Sequence, residues 1–130
     1  MSMNMTLQDA ADAFYEAGNK MFSGDLTAFE AIWSDSDDIS HLGPTGNISI
    51  GRAAVMDEFA KEAGMRFEGT LRADDRRYIE TADMGYMVCV EKTRGMTEAG
   101  QAITIDIRAT TIFRKESGQW RVVHHHTDRF

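Results

Sequence analysis

The chain has 130 residues, a formal net charge of −7 and a pI near 5.0. Apolar residues make up 42% and charged residues 27%, enough apolar surface to offset chain entropy, which excludes a disordered chain and leads us to expect one domain over 1–130. The acidic balance and the lack of a basic run exclude nucleic acid, whose phosphates need clustered Lys and Arg, and disfavour an anionic membrane surface. Leu7, Ala11, Phe14, Gly18 and Met21 then recur every three or four residues, which predicts an amphipathic first helix. Thr6 with Asp9 three positions on resembles a capping box, and Gly24 stops the helix. Asp25 is placed to cap a short second helix with Leu26, Phe29 and Ile32 or Trp33 on one face.

The acidic stretch Ser34–Asp38 reads as a solvated loop. Ile39–Leu42 and Ile48–Ile50 are short strands around a turn that holds the only proline, Pro44. Gly51 opens a third helix whose apolar face is Val55, Met56, Phe59 and Ala63. From Phe67 onward the period changes to two. Strands are predicted at Phe67–Glu80, with an interruption near Asp74 and Asp75, at Tyr86–Arg94, at Ile103–Arg114 and at Trp120–Asp128. In the third of these, Ile103, Ile105, Ile107, Ala109, Thr111 and Phe113 share a face, opposite Arg108 and Thr110. The order ααββαββββ predicts an α+β fold: three N-terminal helices packed on a strongly curved, mainly antiparallel sheet.

Cys89 is the single cysteine, so no internal disulfide forms, and its mid-strand position reads as core packing. The start has neither a basic nor an apolar targeting region, and no apolar run approaches the length of a spanning helix, so the cytoplasm is the expected location. Methionines, nine in all, suit an irregular apolar pocket. No phosphate-binding glycine loop and no nucleophile elbow is present.

The Gly24-Asp25 helix turn, the strand Ile39–Leu42, the helix after Gly51 and the ending Gly118-Gln119-Trp120-Arg121-Val122-Val123-His124-His125-His126-Thr127 resemble the nuclear transport factor 2-like superfamily, in particular its SnoaL-like domains. The ending is similar to that of the calcium/calmodulin-dependent kinase II association domain, with threonine in place of the usual serine. The resemblance implies a cone with an apolar pocket, and a homodimer or larger oligomer. It places His41 where ketosteroid isomerases carry their general-base aspartate. The isomerase's oxyanion-hole aspartate and tyrosine fall at Ala109 and near Ala17, with Tyr15 two residues away, a departure that argues against steroid isomerisation. Glu91 aligns with a pocket-lining arginine of the kinase association domain, and Thr111, His125 and Thr127 take other inward positions.

The expected site is a polar pocket end made by His41, Glu91 and His125, with Thr111 and Thr127 beside them and Tyr15, Trp33, Phe59 and Met87 as wall. Arg108 is a further ligand-binding candidate should a bulge turn it inward. Histidine near neutral pH can shuttle protons, but His41 as a hydrogen-bonded structural histidine, and Glu91 as a solvated carboxylate at the cone mouth, remain open alternatives. Two functions follow. One is a cofactor-independent isomerase, cyclase or dehydratase, or simply a binder, for a small apolar molecule with a polar group. The other is a non-catalytic assembly domain. Self-association is expected through an outer sheet face of Trp120, Val122 and Ile112. His124, His126 and Asp128 alternate along one strand face, but such a straight row does not converge on one ion, so no metal site is expected.

Overall fold

The computed structural model describes residues 5–130; residues 1–4, part of the segment searched for a targeting signal, lie outside them. Helix α1 (Leu7–Phe22) starts on a full capping box, in which Thr6 Oγ1 accepts from the Asp9 N–H and the Asp9 carboxylate accepts from the Thr6 N–H. Its buried stripe runs from Leu7 through Phe14 and Tyr15 to Met21. Gly24, at φ 106°, takes the left-handed turn that leads to α2 (Thr27–Ile32). Asp25 accepts from the Thr27 N–H and so holds the first turn of α2 from two residues before its start.

The strands β1 (Ser40–Leu42) and β2 (Ile48–Ile50) precede α3 (Arg52–Gly64). The acidic loop before them is more than solvated. Asp37 accepts from the Arg52 N–H at the start of α3, Asp38 pairs with Arg114, and the buried Ser34 donates to Glu116. An exposed carboxylate here supplies what Gly51, lacking a side chain, cannot give the helix N-terminus. Four long strands follow: β3 (Glu68–Glu80), β4 (Met84–Met96), β5 (Ala102–Glu116) and β6 (Gln119–Arg129). The sheet order is β2-β1-β6-β5-β4-β3, with β1 parallel to β6 and every other pairing antiparallel. No helix among the described residues is long and apolar enough to cross a membrane.

Two bulges shape the sheet. One interrupts β3 between Asp74 and Arg77, with Asp75 at φ 56°. The other lies in β6, where Ile112 faces His124 but Phe113 faces Val122, leaving Val123 over. The extra residue reverses the parity of β6. His125 and Thr127 face inward, and so do Trp120 and Val122, which are buried in the core with Phe113. The expected interface of Trp120, Val122 and Ile112 is therefore corrected. Trp120 and Val122 belong to the interior, and Ile112 alone of the three lies on the outer side, beside His124. The bulge leaves β5 in register, so Arg108 stays on the outer face, where it pairs with both carboxylate oxygens of Asp128.

At the far end of the β3–β4 hairpin, Gly69 lies opposite Gly95, and the Phe67 ring closes over both. A Cβ built on either would lie 2.0 Å from a backbone oxygen of the other strand. The core under the sheet is aromatic: Phe14 meets Phe29 at 5.1 Å and Trp33 at 6.4 Å between ring centroids, and Phe29 meets Phe59 at 4.6 Å. Each such ring stabilises by about 1.5–3 kcal/mol through burial.

Candidate functional site

The concave side of the sheet and the helices enclose a cavity of about 300 Å³. Its apolar wall comes from Phe14, Phe29 and Phe59 at one side and Ile103, Ile105 and Ile107 at the other. Its polar end is formed by His41, Glu91 and His125, with Thr127 beside them. Alternation explains the convergence. His41 on β1 stands next to His125 on β6, and on β5 the inward residues are Ile107, Ala109 and Thr111. Glu91 pairs with Ile107 and His125 with Thr111, so the two long side chains meet diagonally over Ala109, whose methyl leaves them room.

The polar groups form one hydrogen-bonded row. Tyr15 Oη donates to Glu91 Oε2 at 2.7 Å, and His125 Nε2 meets the same oxygen at 2.8 Å. His125 Nδ1 lies 3.1 Å from His41 Nδ1, which is also 3.1 Å from the His125 carbonyl oxygen. A carbonyl oxygen only accepts, so His41 Nδ1 carries the hydrogen. His125 Nδ1 then offers a lone pair, and its Nε2–H donates to Glu91. The consequence is that His41 Nε2 holds a free lone pair. It has no partner among the described residues, and His41 borders the cavity. The two imidazoles stack with a 6° angle between planes, and Phe59 lies 4.6 Å from the His41 ring on centroids.

Burial shapes the electrostatics. It lowers His41 to about 3, with the neighbouring His125 acting in the same sense, so the ring is neutral near pH 7. Burial alone would raise Glu91, but His125 and the Tyr15 hydroxyl outweigh it and hold the carboxyl below its usual range. Burial, then Glu91 and Cys89, keep Tyr15 well above the ordinary phenol value, so it remains a donor. Cys89 is pushed up to about 11 mainly by burial and stays a thiol, in line with a packing role.

Of the expected wall residues, Phe59 lines the cavity, while Tyr15, Trp33 and Met87 are buried behind it and do not line it. Tyr15 acts on the site through Glu91. Thr111 is fully buried between Met87 and His125, its hydroxyl without a partner, and it does not reach the cavity. Arg108, on the other face of the sheet, is corrected from pocket to surface. Of the outer histidines, His124 Nδ1 lies 2.7 Å from Ser40 Oγ, and His126 is exposed.

The family pattern of the SnoaL-like domain matches residues 7–127. This chain belongs to the SnoaL-like domain family. Among solved structures, this SnoaL-like domain is similar to a candidate calcium/calmodulin-dependent protein kinase type II association domain from Thiobacillus denitrificans, with 26% identity, 100% of this chain and 99% of that one covered, and a TM-score of 0.78. A candidate dehydratase of the nuclear transport factor 2-like family from Streptomyces avermitilis shares 23% identity over 93% of this chain and 91% of its own, with a TM-score of 0.78. The association domain of C. elegans calcium/calmodulin-dependent kinase II shares 16% over 93% of both, with a TM-score of 0.73. The last two establish the fold, the nuclear transport factor 2-like cone. No curated protein matches the chain.

Two acidic lining residues of this SnoaL-like domain were not foreseen from the sequence. Glu62 lies one helical turn after Phe59 on α3 and borders the cavity, as does Glu58. The i, i+3 spacing from Phe59 carries the signal, since such residues share a helix face.

Proposed function

We propose that this SnoaL-like domain binds a small, largely apolar molecule in the cavity and moves a proton on it, next to a carbonyl, without a cofactor. The observation that carries the reading is the open His41 Nε2 lone pair at the end of a hydrogen-bonded row that terminates on the Glu91 carboxylate. His41 alone is a weak base, because its buried imidazolium is disfavoured. The row removes that penalty. When Nε2 takes a proton from substrate carbon, the Nδ1 hydrogen passes to His125 Nδ1, and the His125 Nε2 hydrogen passes to Glu91. The proton count closes with both rings neutral, Glu91 protonated and the electron pair left on the substrate as an enolate. The buried negative charge has moved from enzyme to substrate, and no charge has been added to the apolar interior. Return of the proton at another carbon is isomerisation; loss of a leaving group is elimination.

A metabolite library screened by thermal shift identifies the ligand, because a binder at about a hundredfold over its dissociation constant adds about 2.7 kcal/mol of stability. With that ligand, His41→Ala is expected to lower turnover at least ~100-fold while the fold persists. Turnover retained in His41→Ala would reduce His41 to a structural histidine.

Assembly is the second reading, and the likeness to association domains favours it. The outer face of β4–β6 carries a groove of about 420 Å³ in which Val88, Val90 and Phe130 lie among Arg77, Arg108 and Asp128, with Tyr86 and Ile112 opposite each other nearby. We assign self-association to this face. Light scattering that finds only monomer at micromolar concentration would end that reading and leave the cavity untouched.

A further inference from the structure

We propose that the ligand carries a protonated amine on its apolar body: the cavity joins phenylalanine rings, three carboxylates of which only Glu58 is paired with a lysine, and one open imidazole acceptor. This deepens the reading of the cavity as a ligand site and rests on it. Three carboxylates, Glu58, Glu62 and Glu91, border the space, and no Lys or Arg does among the described residues. Five phenylalanines complete the lining: Phe14, Phe22, Phe29, Phe59 and Phe67. Ring faces attract a cation that has left water, most strongly where the site is desolvated. An anionic ligand would instead meet like charge in a low-dielectric space.

The deep end asks for a donor. His41 is 3% exposed and its Nε2 lone pair is unpartnered, so a group that donates a hydrogen satisfies it and one that only accepts leaves it stranded. An ammonium has three hydrogens and no lone pair. It can give its hydrogens to carboxylate oxygens on α3 and β4. In an amine with no acidic C–H, one of them also satisfies His41 Nε2, the place a substrate's C–H takes during turnover. Glu62 hydrogen-bonds to no described residue, whereas Glu58 pairs with the exposed Lys61 at 3.7 Å.

Glu62 also reports the missing cation. Burial pushes its carboxyl up to about 7; the nearby Glu58 and Glu91 push the same way, and His125 opposes them. The titratable groups that share the cavity with it are Glu58 on its own helix, His41 on β1, His125 on β6 and Glu91 on β4, and none is a fixed positive charge. A bound ammonium supplies one, so the carboxyl ionises on binding and amine affinity rises with pH through about 7.

Three compounds with one apolar body test this: 3-phenylpropylamine, 3-phenylpropanol and 3-phenylpropanoate, titrated by calorimetry against the intact chain at pH 6 and pH 8. The amine is expected to bind about tenfold tighter than the alcohol. Its affinity should increase from pH 6 to pH 8 while the alcohol's stays level, and the carboxylate should not bind. Glu62→Gln should reduce amine binding to the level of the alcohol and remove its pH dependence. If the alcohol or the carboxylate binds as well as the amine, the charge class is wrong and the cavity reading survives. If none of the three binds at millimolar concentration while the protein is folded, the cavity reading falls and the amine with it.

Discussion

Strands β4, β5 and β6 place charged groups on both faces, and the two faces treat them differently. Outside, Arg108 meets Asp128 and Arg94 meets Asp106 in pairs open to water. Inside, Glu91 meets His125 and Tyr15 with almost no solvent contact. The bond lengths are alike, 2.7 and 2.8 Å. Environment separates them. Water screens the outer pairs and hydrates each partner when the other leaves. The inner groups have no such substitute, so each depends on the rest of the row.

Glu91→Leu should separate the faces most sharply. It leaves the Tyr15 hydroxyl and the His125 Nε2–H facing an apolar side chain. Chemical denaturation should show a loss of about 2–6 kcal/mol, about 1–3 for each of the two stranded donors; a loss below ~1 kcal/mol would mean that the row is dispensable to the fold. Acid gives a second, smaller effect. His41 takes its proton near pH 6.5 in the unfolded chain and at about 3 in the fold. The unfolded state therefore holds more protons in that window, and stability falls as pH drops through it, by at most ~1.4 kcal/mol per pH unit for one proton. Glu91, held below its ordinary value, acts in the same direction: its contribution is present above the unfolded pKa and lost as pH falls through the folded one. Glu62, raised to about 7, acts oppositely, with a contribution present below its unfolded value and lost as pH rises. Urea melts of His41→Gln should show a shallower acid slope between pH 6 and pH 4; an unchanged slope would assign the proton uptake elsewhere. The smallest effect belongs to the outer face. Arg108→Ala should leave the denaturation midpoint unchanged, and a clear drop would show that solvent does not compensate on that side.

The same contrast explains what the sequence discloses. Alternation along β4 and β5 is unbroken, so the inward direction of Glu91 and Thr111 follows from parity, and His125 follows from the same count. Parity fails across a bulge. Val122 and Val123 are both buried, a doublet that alternation does not produce, and that doublet is the trace of the inserted residue which placed Trp120 and Val122 inside. Depth is harder to read than direction. Met87 and Thr111 point inward as expected yet lie under α1, because Leu7, Ala11 and Phe14 cover that end of the sheet. Which inward residues meet empty space depends on where the helices stop, and strand periodicity carries no information about that. Glu62 is the complement: a charged residue on a helix reads as solvated until the strand opposite is seen to curl away.

The facing glycines of β3 and β4 make two distant positions one unit of change. A methyl group at Gly69 would sit 2.7 Å from the Gly95 Cα, and one at Gly95 would sit 2.6 Å from the Gly69 Cα. Neither position can vary while the other strand holds its course, although 26 residues of sequence separate them. A relative with a side chain at either must run this hairpin along a different path, and Thr93, Ile103 and Ile105 at the cavity's rim travel with that hairpin and its neighbour. The width of the cavity's rim is thus tied to two residues that do not line it.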